Sequence, residues 1–234
     1  MTGPGILVVA GAVVWGGYVL ATGGRMNVHA DAAHHRKSHA LPPTATSTTL
    51  PPTTTTTDPG LLPQTAAFPS TQTPQFEAEM GDLFQAVVAN SAAMAEPAYF
   101  PESAYLQLKT IYNARSDYVS RLQADFTLDI GAAHALLGSD ANTAKLVEAT
   151  APSGFGHWVP PGICDNSVGY YELPNARVVY QEDGQTRSFG IASMISWRGV
   201  WYVVHFGAIL RSSDEGLVDA PSVGVGTSIP SSTC

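Results

Sequence analysis

Hydrophobic positions recur with a helical period in the first part of the chain that follows residue 73 and with a strand-like period in the second part. The first helical stretch begins at Thr73-Pro74, a pair typical of an N-cap followed by proline at the first helical position. It is expected to end near Glu96-Pro97, because the residue before a proline is pushed out of the helical conformation. The apolar positions of this predicted amphipathic helix are Phe76, Met80, Leu83, Phe84, Val87 and Val88.

A second amphipathic helix is predicted to begin at Pro101-Glu102 and to continue to Phe126. Its apolar stripe consists of Tyr105, Leu108, Tyr112, Val119, Leu122 and Phe126. Two shorter helices are predicted after it, in the segments GAAHALLG (131–138) and ANTAKLVEAT (141–150). The first half of the folded region is therefore expected to be helical.

The pattern changes to that of β-strands after Pro152. Four runs rich in β-branched and aromatic residues follow, and the turn signals between them are Pro174-Asn175, Asp183-Gly184 and Arg198-Gly199. Because the strands are consecutive, we expect them to pair antiparallel. This order predicts an α+β fold, in which N-terminal amphipathic helices pack on one face of a curved antiparallel β-meander.

The last predicted strand contains a histidine within an otherwise apolar run, ISWRGVWYVVHFG (195–207). Successive side chains of a strand point to opposite faces. If Val204 and Phe206 face the helices, His205 shares the opposite face with Trp201. A half-buried structural histidine is the preferred interpretation of this position over a residue of a functional pocket.

The first segment of the chain is apolar. Residues 3–24 contain no charged residue, and as a helix they are just long enough to cross a bilayer. We expect residues 1–24 to be a transmembrane helix or a signal peptide, and Ala21-Thr22-Gly23 offers a small-residue cleavage pattern for the second alternative. The first basic residues, from Arg25 onward, follow this segment, and charge bias alone would place the folded region in the cytoplasm.

Residues 25–73 are predicted to be a disordered stalk, in which a histidine-containing part precedes a Thr/Pro-rich part. The sequence of residues 41–74 is LPPTATSTTLPPTTTTTDPGLLPQTAAFPSTQTP, a composition used for extended extracytoplasmic spacers. We therefore expect a single-pass protein of the cell membrane with an extracytoplasmic domain over residues 74–212, or a secreted protein if the first segment is cleaved. Residues 213–234 are expected to be a flexible tail.

Four histidines of the stalk raise the question of a metal site. His29, His34, His35 and His39 lie within eleven residues, and imidazole is a good ligand for Zn²⁺ and Cu²⁺. No cysteine or paired carboxylate joins them, and no helical frame fixes their geometry. We therefore predict no metal site. Protonation near pH 6 and attraction to anionic lipid headgroups is an equally simple explanation for these residues.

Charge is distributed unevenly along the chain, and its distribution argues against a nucleic-acid partner. From Leu61 onward there are 8 basic and 17 acidic residues, a net charge of −9, whereas residues 1–60 carry 3 basic and 2 acidic residues, a net charge of +1. The folded region is acidic and lacks the clustered lysines and arginines that a nucleic-acid surface needs.

Cys164 and Cys234 are the two cysteines of the chain. In an oxidising compartment they are expected to form a disulfide, which would close a loop of about seventy residues and tie the tail back onto the domain. An intermolecular bridge and a free thiol are the alternatives. A nucleophilic pair of Cys164 with His157 or His205 is disfavoured, because nothing around Cys164 resembles a known nucleophile signature.

Three stretches carry a resemblance to known proteins: YFPESAYLQLK (99–109), VPPGICDNSVGYYELPNARVVY (159–180) and SFGIASMISWRGVWYVVHFGAILRS (188–212). They are similar to a group of uncharacterised exported or membrane-anchored actinobacterial proteins, a resemblance that implies neither an activity nor catalytic residues. The order of the elements and the terminal motif WRGVWYVVHFG (197–207) also resemble the NTF2-like and cystatin-like cone folds. This second resemblance implies a cone-shaped pocket, in folds that host both enzymes and non-enzymes.

Common catalytic motifs are absent from the sequence. It contains no Gly-x-Ser-x-Gly, no glycine-rich phosphate loop with lysine, no His-Glu-x-x-His and no Cys-x-x-Cys. No cofactor is expected. The candidate residues of a ligand pocket are His205, Tyr170, Trp201 and His157. An acid–base pair would combine His205 with Asp165 or Glu172, together with Tyr170 or Tyr171.

These observations favour a non-enzymatic cell-envelope domain that binds a partner protein, a glycan or a small ligand. One alternative is a pocket enzyme of hydrolase or isomerase type that uses His205. Another is a structural accessory subunit of a membrane complex, in which an uncleaved first helix makes contact through Gly11, Gly16 and Gly17.

Overall fold

A long antiparallel hairpin formed by β3 (Tyr170–Glu182) and β4 (Gln185–Trp197) lies at the centre of the sheet. The computed structural model describes residues 57–207, 211 and 214–228. The hairpin turns at Asp183-Gly184, where both residues have positive φ, 49° and 73°. A two-residue turn of the type that matches strand twist requires this conformation, so the hairpin predicted here is confirmed.

Four further strands flank the hairpin and complete an open antiparallel sheet. On one side, β1 (Lys145–Thr150) and β2 (His157–Val159) pair with different halves of β3. On the other side, β5 (Val200–His205) and β6 (Asp219–Val223) pair with different halves of β4. The turn between β4 and β5 at Arg198-Gly199 again has two positive φ values, as predicted.

The first helix, α1 (Pro74–Ala89), begins where the sequence predicts. Oγ1 of Thr73 accepts a hydrogen bond of 3.1 Å from the backbone N–H of Phe76, which satisfies one of the free donors of the first turn. The helix ends earlier than predicted, because Asn90 takes the left-handed conformation at its C-terminus. A 3₁₀ helix, Ala92–Ala98, follows it.

The second predicted helix is interrupted. α2 (Glu102–Leu108) ends because the next residues pair with a distant loop: Lys109 bridges Asn166, and the N–H of Thr110 donates to Asp165 O at 2.8 Å. The chain then returns to helix as α3 (Ala114–Asp117), the π-helical segment Tyr118–Gln123 and α4 (Ala124–Leu137), which follow one another without a break. Tyr112 was predicted on the buried stripe and is fully exposed.

Two local predictions are wrong. The segment ANTAKLVEAT (141–150) was predicted as a helix, but its residues from Lys145 onward form β1, because pairing with β3 overrides the helix propensity of the segment. The second wrong prediction is the turn at Pro174-Asn175, which lies inside β3, where Asn175 has a φ of 59°. The helix predicted at 131–138 is present, but as the last part of α4 and not as a separate helix.

The core lies between the helices and one face of the sheet. Ring contacts between the two layers mark it: Phe84 of α1 lies 5.7 Å from Tyr180 of β3, and Phe126 of α4 lies 5.7 Å from Phe206, centroid to centroid. Phe100, which precedes α2, contacts Trp197. The α+β class and the antiparallel sheet are therefore as predicted.

Residues 58–72, here called the N-terminal strap, bind along β4 and β5. The indole N–H of Trp197 donates to Pro59 O at 3.1 Å, and that of Trp201 donates to Pro69 O at 3.2 Å. Gln64 bonds to both ends of the β4–β5 turn: its Nε2 donates to Ser196 O at 2.8 Å, and its Oε1 accepts from the N–H of Arg198 at 2.7 Å. The Thr/Pro-rich composition predicted this segment as the end of the disordered stalk, and its partners could not be seen from the sequence because they are distant in the chain.

Arg177 of β3 holds the chain near its C-terminal end. Its side chain is buried, and it donates to the carbonyl oxygens of Ala220, Val225 and Thr227 and to the hydroxyl of Ser188. Part of the segment predicted as a flexible tail therefore forms β6 and an adjoining stretch of bound chain.

The predicted membrane or signal segment (1–24) and the histidine-containing part of the stalk lie outside the described residues. Within the described residues, no helix combines the length and the apolar character needed to span a bilayer.

Candidate functional site

A groove of about 1430 Å³ runs between α1 with its following 3₁₀ helix on one side and α2 to α4 on the other. We call it the helical groove. Tyr202 of β5 and Tyr99 belong to its lining, and Leu61 and Val119 are 67% and 50% exposed beside it. Further apolar lining comes from Pro59, Ala92, Pro97, Pro101, Leu106 and Phe126. Tyr99, Tyr202 and Phe126 are buried, so the exposed apolar part of the lining consists mainly of Leu61, Val119, Pro59 and Pro97.

The charged side chains of the helical groove are mostly acidic. Asp58, Glu79, Glu96 and Glu102 line it, and Arg115 is the basic residue of the lining. Nη1 of Arg115 lies 2.7 Å from Oε1 of Glu102, in an ion pair at the surface. The other three carboxylates have no cation of this lining beside them, so the groove is complementary to a positively charged ligand.

Glu79 is the most unusual of these residues. It follows Phe76 by three positions and precedes Leu83 by four, which places it on the apolar stripe of α1. It is only 7% exposed. Its Oε1 accepts a hydrogen bond of 2.9 Å from Nε2 of Gln75, whereas its Oε2 has no hydrogen-bond partner among the described residues.

Burial raises the pKa of Glu79 to about 7. The hydrogen bond from Gln75 opposes this rise, and the nearby Asp82 adds to it. Tyr202 lies close to the same carboxyl group: burial raises the pKa of Tyr202 to about 12, and Glu79 and Asp58 contribute to the rise. Asp58, Glu79 and Tyr202 therefore converge on one part of the groove.

His205, the main candidate of the sequence analysis, lies elsewhere. It is 2% exposed and pairs with Ser193 of β4. The register of β4 and β5 shifts by one residue at this point, so His205 leaves the face of Trp201 and turns toward the helices. The expectation that His205 shares the face of Trp201 is therefore wrong, and the cause is a β-bulge that alternation cannot reveal.

The surroundings of His205 favour its neutral form. Burial, followed by the nearby Arg121, lowers its pKa to about 4, while Asp129 opposes the shift. Its Nδ1 has no hydrogen-bond partner within the part of the chain that the structure describes. The residue lines neither the helical groove nor the smaller groove described below.

Two other candidates meet at Glu172, which is 3% exposed. Nε2 of His157 lies 3.7 Å from Oε2 of Glu172, and the Ser193 hydroxyl donates to Oε1 at 3.3 Å. Burial raises the pKa of Glu172, and His157 opposes the rise. Burial also raises the pKa of Tyr170 to about 12, with Glu172 as the second cause. The structure thus brings Tyr170, His157 and Glu172 together.

Trp201 lies on the face of the sheet opposite to that of Glu172. Its ring lies 5.6 Å from that of Phe68 in an edge-to-face contact, and its indole N–H donates to the carbonyl oxygen of Pro69. A smaller groove of about 360 Å³ lies beside these residues. Trp201 therefore shares no site with Tyr170 and His157. Asp165, the other predicted acid–base partner of His205, makes its contact through the backbone: its carbonyl oxygen accepts hydrogen bonds from Thr110.

The π-helical segment carries a polar cluster that the sequence did not indicate. Nε and Nη2 of Arg121 donate to the carboxylate of Asp117 at 2.8 and 2.6 Å, and Nη2 also donates to the Tyr105 hydroxyl at 3.0 Å. Tyr105 in turn donates to Asp117. Tyr118 donates to Phe100 O at 2.8 Å. Because its members satisfy one another, this cluster joins α2 to the following helix and is assigned a structural role.

Most of the residues considered for metal and thiol chemistry lie outside the described ranges. No group of three or more histidine, cysteine or acidic side chains is close enough there to hold a metal ion, and the four histidines of the stalk lie outside those ranges. The same ranges contain no free cysteine. Cys234 lies beyond them, and its pairing with Cys164 stays a prediction.

Comparison with known proteins found no matching family model, no similar curated protein and no similar solved structure. The resemblances stated from the sequence motifs therefore stay predictions. None of the candidate residues predicted from the sequence lines the helical groove, and Glu79, its most unusual residue, was not predicted. The available signal was a glutamate at a position of α1 that the helical period assigns to the apolar face.

Proposed function

We propose that this chain is a non-enzymatic domain of the cell envelope that binds an amphipathic segment of a partner protein in the helical groove. The observation that carries this proposal is the exposed apolar lining of the groove, with Leu61 and Val119 at its surface. Apolar surface of this kind marks interaction sites on soluble domains, and a groove between helices is a common place for an amphipathic segment to bind.

The location at the cell envelope is part of the proposal. It is supported by the uncharged segment 3–24 and by the Thr/Pro-rich composition of residues 41–74. The segment 1–24 then either anchors the chain or is removed on export. In both cases the folded domain lies on the outer side of the membrane.

We also infer that the helices and the sheet form a cone of the NTF2-like or cystatin-like type. Support comes from the order of the elements, since the strands follow the helices in the chain. Glu172, Ser193 and His205 lie on the strands close to one another, with charged helix-side groups such as Arg121 nearby. Polar residues in this position are what a cone-shaped interior would contain.

A pocket enzyme that uses His205 has less support. The histidine is nearly inaccessible and lines neither groove. Its lowered pKa keeps the imidazole neutral, and no hydroxyl or thiol nucleophile is in hydrogen-bond contact with it among the described residues. The helical groove is therefore the better candidate for function.

Selection of displayed random peptides against the full chain in detergent micelles tests the proposal. We expect enriched peptides to carry apolar residues at helical spacing. We expect Val119→Arg to weaken their binding by about tenfold or more, because it places a charged side chain in the groove. Val147→Arg is the matched control, since Val147 is exposed to a similar degree, 55%, on β1 and outside the groove.

Two outcomes would contradict the proposal. One is that no peptide is enriched over a selection without protein. The other is that Val119→Arg and Val147→Arg weaken binding equally, because the peptides would then bind away from the helical groove.

A further inference from the structure

We propose that Glu79 anchors a lysine or arginine side chain of the bound segment, so that the helical groove selects segments that are basic as well as amphipathic. This inference rests on the proposed function and names the chemical class of its partner. It assigns the specificity of the groove to a single buried carboxyl group.

The first argument is the incomplete hydrogen bonding of Glu79. Its side chain is more than nine-tenths buried and lines the groove, but Oε2 has no partner among the described residues. A buried carboxylate oxygen without a donor costs free energy. Because Oε2 is itself sealed from solvent, an ammonium or guanidinium group reaches it from the groove when the lining shifts locally, and this group then supplies the missing donor and the opposite charge.

The second argument is the charge around Glu79. Among the described residues, Asp82 on the same helix and Tyr202 on β5 are the titratable groups that interact with it, and Gln75 donates to it. None of these groups is a cation. Asp58 interacts with the same tyrosine.

Arg115, the basic residue of the lining, is paired with Glu102. Glu96 also lines the groove and adds negative charge. A ligand that carries positive charge is therefore the complementary one.

The third argument is the apolar lining that surrounds the groove in which Glu79 lies. Pro59, Leu61, Ala92 and Ala93 belong to the same lining. Lysine and arginine side chains have apolar stems that pack on surfaces of this kind while the charged group reaches a polar partner. A simple metal cation would not use this apolar surface, so an organic cation on an aliphatic stem is the better match.

The site also implies a pH dependence of binding. Burial raises the pKa of Glu79 to about 7, so the carboxyl group is ionised above this pH and protonated below it. A cation binds the ionised form, so binding near pH 7 releases the proton of Glu79 to solvent. Affinity for a basic segment should therefore rise as the pH increases through 7.

Butylguanidinium, a mimic of the arginine side chain, is the probe for the first experiment, and uncharged butylurea is its control. The full chain, ¹³C-labelled at glutamate and held in detergent micelles, is titrated with each compound while the carboxyl signal of Glu79 is followed by NMR. We expect butylguanidinium to shift this signal and to lower the pKa of Glu79, and butylurea to do neither. Glu79→Gln identifies the signal by its loss.

The matched control variant is Glu77→Gln, which removes an exposed carboxylate from the same helix. It should leave the response to butylguanidinium unchanged. Equal responses of the Glu79 signal to butylguanidinium and butylurea, or a Glu79 signal that butylguanidinium leaves unchanged, would overturn the inference.

The peptide selection separates this inference from the proposed function. Peptides enriched on the unmodified chain should be rich in lysine and arginine, and Glu79→Gln should weaken their binding roughly tenfold to a hundredfold above pH 7. Enriched peptides that bind in the groove without any preference for basic residues would overturn the role of Glu79 and leave the proposed function standing. A response to butylguanidinium without any peptide binding would overturn the proposed function.

Discussion

Arg211 and Asp129 form a buried ion pair, in which Nη1 of the arginine lies 2.9 Å from Oδ1 of the carboxylate. Asp129 lies on α4 and is completely buried. Its two oxygens also accept from the backbone N–H groups of Phe206 and Leu217, at 3.3 and 2.8 Å. One carboxylate therefore joins α4 to the end of β5 and to the chain that leads into β6.

Asp129→Asn should destabilise the protein by on the order of 3 kcal/mol, because it removes the charge that Arg211 needs inside the protein. Denaturant unfolding at neutral pH measures the loss. Hydrogen exchange should show faster exchange at the N–H groups of Phe206 and Leu217. Asp125→Asn is the control, since Asp125 lies farther from Arg211, at 3.5 Å, and is less buried. An equal loss for both variants would contradict the assignment.

Gln64→Ala should release the N-terminal strap from the β4–β5 turn. The substitution removes both hydrogen bonds of the Gln64 amide, to Ser196 and Arg198. We expect a loss of about 1 to 2 kcal/mol and faster proteolytic cleavage within residues 58–72. Limited proteolysis followed by mass spectrometry locates the cleavage. The control is Gln72→Ala, at an exposed position of the strap. The protease should cleave this variant at the same rate as the unmodified protein.

His205 should make the protein less stable in acid. Burial holds its pKa at about 4 against a usual value of 6.5, so the unfolded chain takes up a proton at a higher pH than the folded one. The stability present above pH 6.5 is therefore lost as the pH falls toward 4, by up to about 3 kcal/mol. Unfolding experiments across this range should show a smaller loss for His205→Gln. His134→Gln should retain the loss seen in the unmodified protein.

Glu79 should have the opposite effect to His205: it should make the protein less stable as the pH rises. Because burial raises its pKa from 4.5 to about 7, the folded chain holds a proton at a pH where the unfolded chain has lost it. Stability contributed below pH 4.5 is then lost as the pH rises to 7, by up to about 3 kcal/mol. Glu79→Gln should be more stable than the unmodified protein above pH 7, and Glu77→Gln should not. A pH-independent difference would show that Glu79 is not titrating in this range.

The last prediction has a bearing on function. A residue whose replacement stabilises a protein is one that folding alone does not favour. Suppose that Glu79→Gln raises the free energy of unfolding and weakens the binding of basic peptides. The carboxyl group of Glu79 then lowers the stability of the protein and is retained because it binds the basic partner. The two measurements use the same variants and can be made on the same preparations.

The sequence predicted those elements that local chemistry determines. Thr73-Pro74 begins α1, and Asp183-Gly184 and Arg198-Gly199 form turns, because a cap and a positive φ are properties of a few adjacent residues. The sequence did not predict those elements that depend on pairing between distant parts of the chain. Lys145 to Thr150 form a strand because β3 lies beside them, and Lys109 ends α2 because it pairs with Asn166.

The candidate site was harder to predict than the fold. The histidine that stood out in the sequence, His205, is turned inward by a bulge between two strands, which leaves no local signal. Glu79 did carry a signal, because the helical period places it among apolar residues. That signal became informative only when the groove beside it was known.

The bonds of the N-terminal strap also determine how the domain would respond to pulling. Tension applied to the chain ahead of residue 57 reaches the sheet through Pro59 and Trp197 first, and through Gln64 and Pro69 only afterwards. These contacts are few and lie one after another along the strap, so they would rupture in sequence at low force. The strap would therefore lengthen step by step while the β3–β4 hairpin is still paired.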